Sequence, residues 1–244
     1  MSKFVLVHGA WHGGWCWKRV RNILQAQGHE VFTPTLTGLA DRSHLLTPAV
    51  NLDTHVDDVA NLIRWEELSN VILCGHSYGG AVISGVADRV PEHIAALVYL
   101  DAFVLEDGES VFQNVHETQR QGMTAGVQDG WKVPPIPPEV FNLNVEDRAW
   151  AARQCTMHPL ACFEQPLRLR GGIQKIPNIT YVFAAGFGDT PFKNSRERAR
   201  TKGWRIVEVP CGHEVMLDAP EELATILAIP SPTQSSASAG SAQN

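Results

Sequence analysis

Five residues constrain this chain more than any others: Gly75-His76-Ser77-Tyr78-Gly79, followed at once by Gly80-Ala81-Val82. The run has the form Gly-x-Ser-x-Gly. It follows the apolar Val71-Ile72-Leu73-Cys74 and precedes the helix-forming Ala81-Val82-Ile83-Ser84-Gly85-Val86-Ala87. A strand, a very tight turn and a helix are therefore predicted. Ser77 sits at the apex, its hydroxyl free and a helix N-terminus behind it. Glycines flank the turn because strand and helix backbones come too close for β-carbons. The motif alone arises often by chance; the strand–turn–helix context separates it from a glycine-rich helix start. Ser77 is the candidate nucleophile.

The rest of the chain supplies a sheet for that turn. Phe4-Val5-Leu6-Val7 is continuously apolar, as expected of a strand buried on both faces. Trp17 to Gln27 carries Val20, Ile23 and Leu24 at helical spacing and stops at Gly28. A strand follows at 29–32. Asn51 or Asp53 caps a helix with an apolar face of Leu52, Val56, Val59, Leu62 and Ile63. Strand 71–74, helix 79–90 and strand 96–100 continue the alternation, which argues for a parallel sheet with helices on both faces. The rhythm breaks at Glu106. Residues 106–170 show no strand pattern and read as an insertion over the sheet, with a short helix at Val145–Arg153 and a loop containing Trp131 and Pro134-Pro135-Ile136-Pro137-Pro138. Alternation resumes with strand 179–184, a helix near 195–202, strand 205–209 and a last helix at 220–227. The organisation is thus a core of 1–105 and 171–230, a cap of 106–170, and a low-complexity tail, 231–244, expected to be disordered.

Composition excludes several classes. Of 244 residues, 44% are apolar and 19% charged, enough for a sizeable core in one domain with an insertion. A net charge of -6 offers no basic surface for nucleic acid. No apolar run approaches the roughly 20 residues of a membrane span. Residues 1–20 run straight into a short strand, so no signal peptide is expected and the expected location is the cytoplasm. Cys16, Cys74, Cys155, Cys162 and Cys211 are odd in number and scattered, which reads as reduced thiols rather than a disulfide framework. The expected partner is a small molecule, and a homodimer is compatible with the chain.

A serine hydroxyl is a poor nucleophile until a base takes its proton. Of ten histidines, His213 lies on a loop after the last strand, with Gly212 to turn it. A carboxylate must then hold the other imidazole nitrogen. Asp189, just after strand 179–184, is the expected third member, with Asp101 at the end of strand 96–100 as its rival. Asp218 is expected to cap the last helix. An oxyanion needs two backbone N–H donors. Tyr78 supplies one, and the loop His8-Gly9-Ala10-Trp11-His12-Gly13-Gly14-Trp15 the other, Ala10 first and Trp11 second. The Tyr78 side chain is also expected to face the site. His8 and His12 would need a helix to share a metal, which Gly9, Gly13 and Gly14 oppose. They read as hydrogen-bonded scaffolding of the loop, and neither metal nor cofactor is expected.

These residues resemble the α/β-hydrolase superfamily along nearly all of 3–229. The likeness is carried by His8-Gly9 with Trp11-His12-Gly13-Gly14-Trp15, by Gly75-His76-Ser77-Tyr78-Gly79-Gly80, by Tyr99-Leu100-Asp101-Ala102-Phe103, and by His213 with Met216 and Pro220-Glu221-Glu222-Leu223. It is strongest to the small cofactor-free branch of plant methylesterases, hydroxynitrile lyases and bacterial xenobiotic esterases, and there to bacterial pyrethroid and carbendazim hydrolases. The resemblance implies a mostly parallel sheet of about six strands without the superfamily's first two, flanked by helices and covered by a largely helical cap. It also implies cleavage of an ester or ester-like carbamate through an acyl-enzyme. Trp11, Phe103, Trp131 and Trp150 are expected to bind an aromatic or hydrophobic substrate, with Val104 and Phe163 nearby. Hydroxynitrile lyases place a lysine after the catalytic histidine and a threonine in the oxyanion loop; Glu214 and Gly9 stand there instead, which favours hydrolysis over the lyase alternative. A small-molecule receptor on the same fold would keep the same triad and is the other alternative.

Overall fold

The computed structural model describes residues 1–188 and 190–228. The tail expected at 231–244 and the candidate acid Asp189 lie outside the described residues. Six strands form one sheet: β1 (Lys3–Val7), β2 (Glu30–Phe32), β3 (Val71–His76), β4 (Ile94–Leu100), β7 (Asn178–Ala184) and β8 (Arg205–Val209). Their order is β2-β1-β3-β4-β7-β8, and every neighbouring pair is parallel.

The continuously apolar strands split their side chains between two helical layers, as a period of two demands. From β1, Phe4 and Leu6 pack with Val20 and Leu24 of α1 (Lys18–Ala26) and with Leu223 and Leu227 of α9 (Pro220–Ala228). Val5 and Val7 pack on the other face with α2 (Leu52–Trp65) and α3 (Gly79–Arg89). Asn51 caps α2: its side chain accepts from the Thr54 amide at 3.0 Å, and the Thr54 hydroxyl reaches back to the Asn51 amide. The α2 stripe holds Leu52, Val56, Val59 and Ile63 as expected, but it also buries His55, a polar residue on an apolar face.

Residues 106–170 carry α4 (Glu117–Ala125), α5 (Val145–Gln154) and α6 (Ala161–Glu164). They also contain a short antiparallel ribbon, β5 (Lys132–Val133) against β6 (His158–Pro159). Strands of two residues leave no period in a sequence, so this ribbon was not foreseen. α7 (Phe192–Thr201) and α8 (Val215–Asp218) complete the α-helices of the described residues. Asp218 does not act as the expected helix cap. Its carboxylate instead accepts from the Asn144 backbone (3.2 Å) and side-chain (2.7 Å) N–H groups, tying the insertion to the C-terminal segment.

All five cysteines are free thiols. Among the described residues no helix is long and apolar enough to cross a membrane.

Replacing Asn51 with Ala removes the reciprocal cap of α2 and is expected to lower stability by about 1 kcal/mol. Urea denaturation reads the loss, and turnover per folded molecule should be unchanged.

Candidate active site

Ser77 follows β3 by one residue and has a left-handed backbone, φ 54°. That conformation costs a non-glycine residue about 1–2 kcal/mol. It is held from three sides: the Ser77 amide donates to Leu100 O (3.2 Å), and Ser77 O accepts from Phe103 (3.1 Å) and Gly80 (3.0 Å). The turn is tight enough that a β-carbon on Gly75 would lie 2.4 Å from Gly79 O. Of residues 73–80, only Ser77 is half-exposed; the others are buried.

His213 stands on the loop after β8. Its ring stacks on Phe192 (centroids 4.8 Å apart, 10° between planes) and on Phe187 (5.0 Å, 25°). Its backbone is gripped at both ends: its N–H donates to Phe141 O, and its carbonyl accepts from His76 Nε2, both at 3.0 Å. Nδ1 donates to Asp101 Oδ2 at 2.6 Å, with both side chains buried. That bond fixes the neutral ring with its lone pair on Nε2. Asp101 also has a left-handed backbone, φ 40°, and its Oδ1 accepts from the Ala184 amide at 3.3 Å. Burial pushes its carboxyl above the usual carboxylate range, and the bond to His213 opposes that rise.

Among the described residues the carboxylate on His213 Nδ1 is thus Asp101, the rival of the expected Asp189. Asp189 lies outside the described residues. The signal for Asp101 lay in strand register. His76 pairs with Leu100 across β3 and β4, so Ser77 and Asp101 each stand one residue beyond neighbouring parallel strands.

Ala10 and Tyr78 border the same cavity as Ser77 and His213. Among the described residues neither amide has an acceptor. The Trp11 amide is already donated to His158 Nδ1 at 3.2 Å, so of the two expected donors Ala10 is the one left free among the described residues. Histidines brace the loop. His8 Nδ1 donates to Gly9 O (2.8 Å) while its Nε2 accepts from Leu36 (3.1 Å). His12 Nδ1 donates to Ala10 O (2.7 Å), and its Nε2 faces Glu214 Oε1 at 3.4 Å. Glu214 is only 2% exposed, an internal position that its sequence neighbours did not signal. A β-carbon on Gly9 would lie 2.9 Å from His76 Nδ1 and 3.0 Å from Ser77 Cβ, so a threonine there would displace the site.

The cavity over Ser77 is narrow, about 40 Å³ of water-accessible space. Its walls include the expected Trp11 and Phe103, with Phe163, Ile136, Phe141 and Phe187. Trp131 and Trp150 are not among them. Trp131 lies under Lys132 (5.0 Å to the ring centroid), and Trp150 packs edge-on against Trp15 at 5.0 Å. Val104 is buried, its amide held by Ser195 at 3.1 Å. The Tyr78 hydroxyl turns inward to His55 Nδ1 at 2.9 Å.

Among the described residues two trios bring metal-ligating atoms within 4.8 Å of one another, His55–His158–Cys162 and His76–His213–Glu214. In each, histidine nitrogens are committed elsewhere: His55 to Tyr78 and Thr37, His158 to Trp11, His213 to Asp101.

Comparison with known proteins agrees with this architecture. Residues 4–226 match the model of the alpha/beta hydrolase family. The chain is 44% identical over 239 residues to a carbendazim hydrolyzing esterase of Nocardioides sp. (strain SG-4G), covering 93% of this chain and 99% of that one. The fold superposes on an extracellular alpha/beta-hydrolase from a Paenibacillus species with a TM-score of 0.82 at 22% identity, covering 93% and 98% of the two chains. It also superposes on a pyrethroid hydrolase from Sphingobium faniae with a TM-score of 0.75 at 25% identity, covering 93% and 96%.

Two outcomes are expected of this geometry. Asp101→Asn should lower kcat on p-nitrophenyl acetate by about 10³–10⁴-fold through loss of the tautomer, and Asp189→Asn should cost at least about 100-fold less. The second concerns pH. Burial lowers the pKa of His8 to about 3 and of His55 to about 4, and takes His76 and His158 well below the ordinary 6.5. Unfolded, these rings titrate near 6.5, so the unfolded chain binds more protons as the pH falls. Their contribution to stability is whole above pH 6.5 and is lost as the pH drops toward 4 and 3. Urea midpoints should hold between pH 8 and 7 and fall below pH 6, each ring adding a slope of up to about 1.4 kcal/mol per pH unit. A flat profile from pH 7 to 5 would contradict the buried, neutral rings.

Proposed function

The chain belongs to the alpha/beta hydrolase family, and on that premise we propose that it hydrolyses a carboxylic ester, or an ester-like carbamate, of a compact hydrophobic substrate. One observation carries this reading: Ser77 shares an apolar cavity with His213, whose Nδ1 is held by Asp101 at 2.6 Å.

Ser77 Oγ attacks the carbonyl carbon as His213 Nε2 takes its proton. The carbonyl oxygen becomes an oxyanion between the Ala10 and Tyr78 amides, each such donor typically worth roughly 3 kcal/mol. The tetrahedral centre collapses, the bond to the leaving alcohol or amine breaks, and His213 returns the proton to the leaving atom. Water then repeats the sequence on the acyl- or carbamoyl-enzyme, releasing the acid and restoring Ser77. Asp101 stays ionised beside the imidazolium that forms twice in the cycle.

The substrate class follows from the walls. Trp11, Phe103, Phe163 and Phe187 suit a flat aromatic group, and the similarity to the carbendazim hydrolyzing esterase supports a methyl carbamate on an aromatic heterocycle. A cavity of about 40 Å³ is far below the roughly 300 Å³ of even a small ligand pocket. Five unpaired thiols suit a reducing compartment and support the cytoplasm as its location. The lyase alternative is disfavoured by the crowding at Gly9 and by a carboxylate, Glu214, where a cation would stand.

The test compares p-nitrophenyl acetate, a pyrethroid and carbendazim as substrates of the native enzyme and of Ser77→Ala. Native enzyme is expected to turn over the acetate and carbendazim, and Ser77→Ala to lose at least about 10⁴-fold on both while remaining folded. Activity confined to the acetate would remove the carbamate reading. Near-normal turnover by Ser77→Ala would remove the nucleophile.

A further inference from the structure

We propose that His158 is a positioning residue for the oxyanion hole: by accepting the Trp11 amide, it lets the docked cap set the direction of the Ala10 amide. The inference rests on the reading of Ala10 as an oxyanion donor.

Trp11 is a bulky residue with a left-handed backbone, φ 64°, in the segment that follows Ala10. A side chain of that size rarely adopts such a backbone unless its surroundings impose it. Here the imposing groups come from the insertion. His158 Nδ1 accepts the Trp11 amide at 3.2 Å. The Thr156 amide donates to Trp11 O at 2.9 Å. Val133 O accepts the Trp11 indole N–H at 3.2 Å. Val133 and His158 are register partners in the β5–β6 ribbon, so the two strands close on Trp11 like a clasp. The clasp itself is anchored to the core, because Thr156 Oγ1 accepts from the Ala40 amide at 2.9 Å.

Two consecutive peptide planes are then fixed. The Gly9–Ala10 plane carries the free N–H, with its carbonyl held by His8. The Ala10–Trp11 plane is held at its carbonyl by His12 and at its N–H by His158. Without His158 the second plane has one bond fewer, and the Trp11 amide is free to swing toward the site as a competing donor. The state of His158 fits this task. It is fully buried, and burial keeps its ring neutral. With Nδ1 accepting, Nε2 carries the proton, and among the described residues that N–H has no acceptor. The Nδ1 lone pair is thereby kept on the Trp11 amide. The outcome is a hole whose geometry depends on cap docking.

His158→Asn and His158→Gln separate positioning from bulk. An asparagine oxygen occupies the place of Nδ1, whereas a glutamine amide reaches past it toward the place of Nε2. Kinetics on p-nitrophenyl acetate are combined with the inhibition constant of a trifluoromethyl ketone, whose adduct on Ser77 puts an oxyanion in the hole. His158→Gln is expected to lower kcat by about 100-fold with KM within about 3-fold, and to weaken the ketone by the same factor. His158→Asn is expected to recover kcat to within about 5-fold of the native value, because it restores the acceptor to the Trp11 amide. Equal kcat for the two variants, or a loss confined to KM with ketone affinity unchanged, overturns the proposal. If His158→Gln gives no folded protein, Thr156→Pro, which deletes the amide on Trp11 O, takes its place with the same expected pattern. Ser77→Ala run in parallel keeps the two readings apart. If it stays active, the hydrolase reading fails; if it is dead while His158→Gln is normal, only the clasp fails.

Discussion

The left-handed backbone of Ser77 is the constraint from which the rest of the site follows. The strain is tolerated because the residue is bonded to β4 and its surroundings in both directions, through Leu100 O and the Phe103 amide. Those bonds fix more than the serine. They lock β3 and β4 in register at their carboxyl ends, so the residue beyond β4, Asp101, emerges beside the residue beyond β3. Asp101 takes the same unusual backbone sense, φ 40° against 54° for Ser77. Ser77 and Asp101, the proposed nucleophile and acid, are thus two outcomes of one event, two adjacent parallel strands ending on the same line.

Histidine does most of the remaining construction. His8, His12, His55, His76, His158 and His213 are all buried. Each ring can donate from one nitrogen and accept at the other, so it can join two backbone segments that no short loop could bridge. His76 ties the serine turn to the His213 backbone, His8 ties the oxyanion loop to Leu36, and His158 ties it to the cap. Burial lowers the pKa of His8, His55, His76 and His158, so these links are kept in the neutral state. The same feature sets the acid sensitivity of the fold.

Much of this was legible in the residues. Glycine spacing around Ser77, the period of α2 and the alternation of strand and helix are local signals, and the sheet followed from them. His213 was legible because Gly212 and the last strand leave it a single slot. The acid was not. Asp189 and Asp101 both follow strands, and choosing between them needs the register of β3 against β4, which no local pattern carries. The cap was the least legible part. Its ribbon has two residues per strand, and its aromatic residues divide by packing: Phe163 reaches the cavity, while Trp150 turns to Trp15. His158 carried no signal at all, because its meaning lies in a bond to Trp11, 147 residues away.

The most direct test of the account is a crystal structure of the enzyme with a phosphonate ester bonded to Ser77. A phosphoryl oxygen is expected about 3 Å from the Ala10 and Tyr78 amides, with Asp101 on His213 Nδ1. An oxygen held by the Trp11 amide, or Asp189 in place of Asp101 on His213, would contradict it.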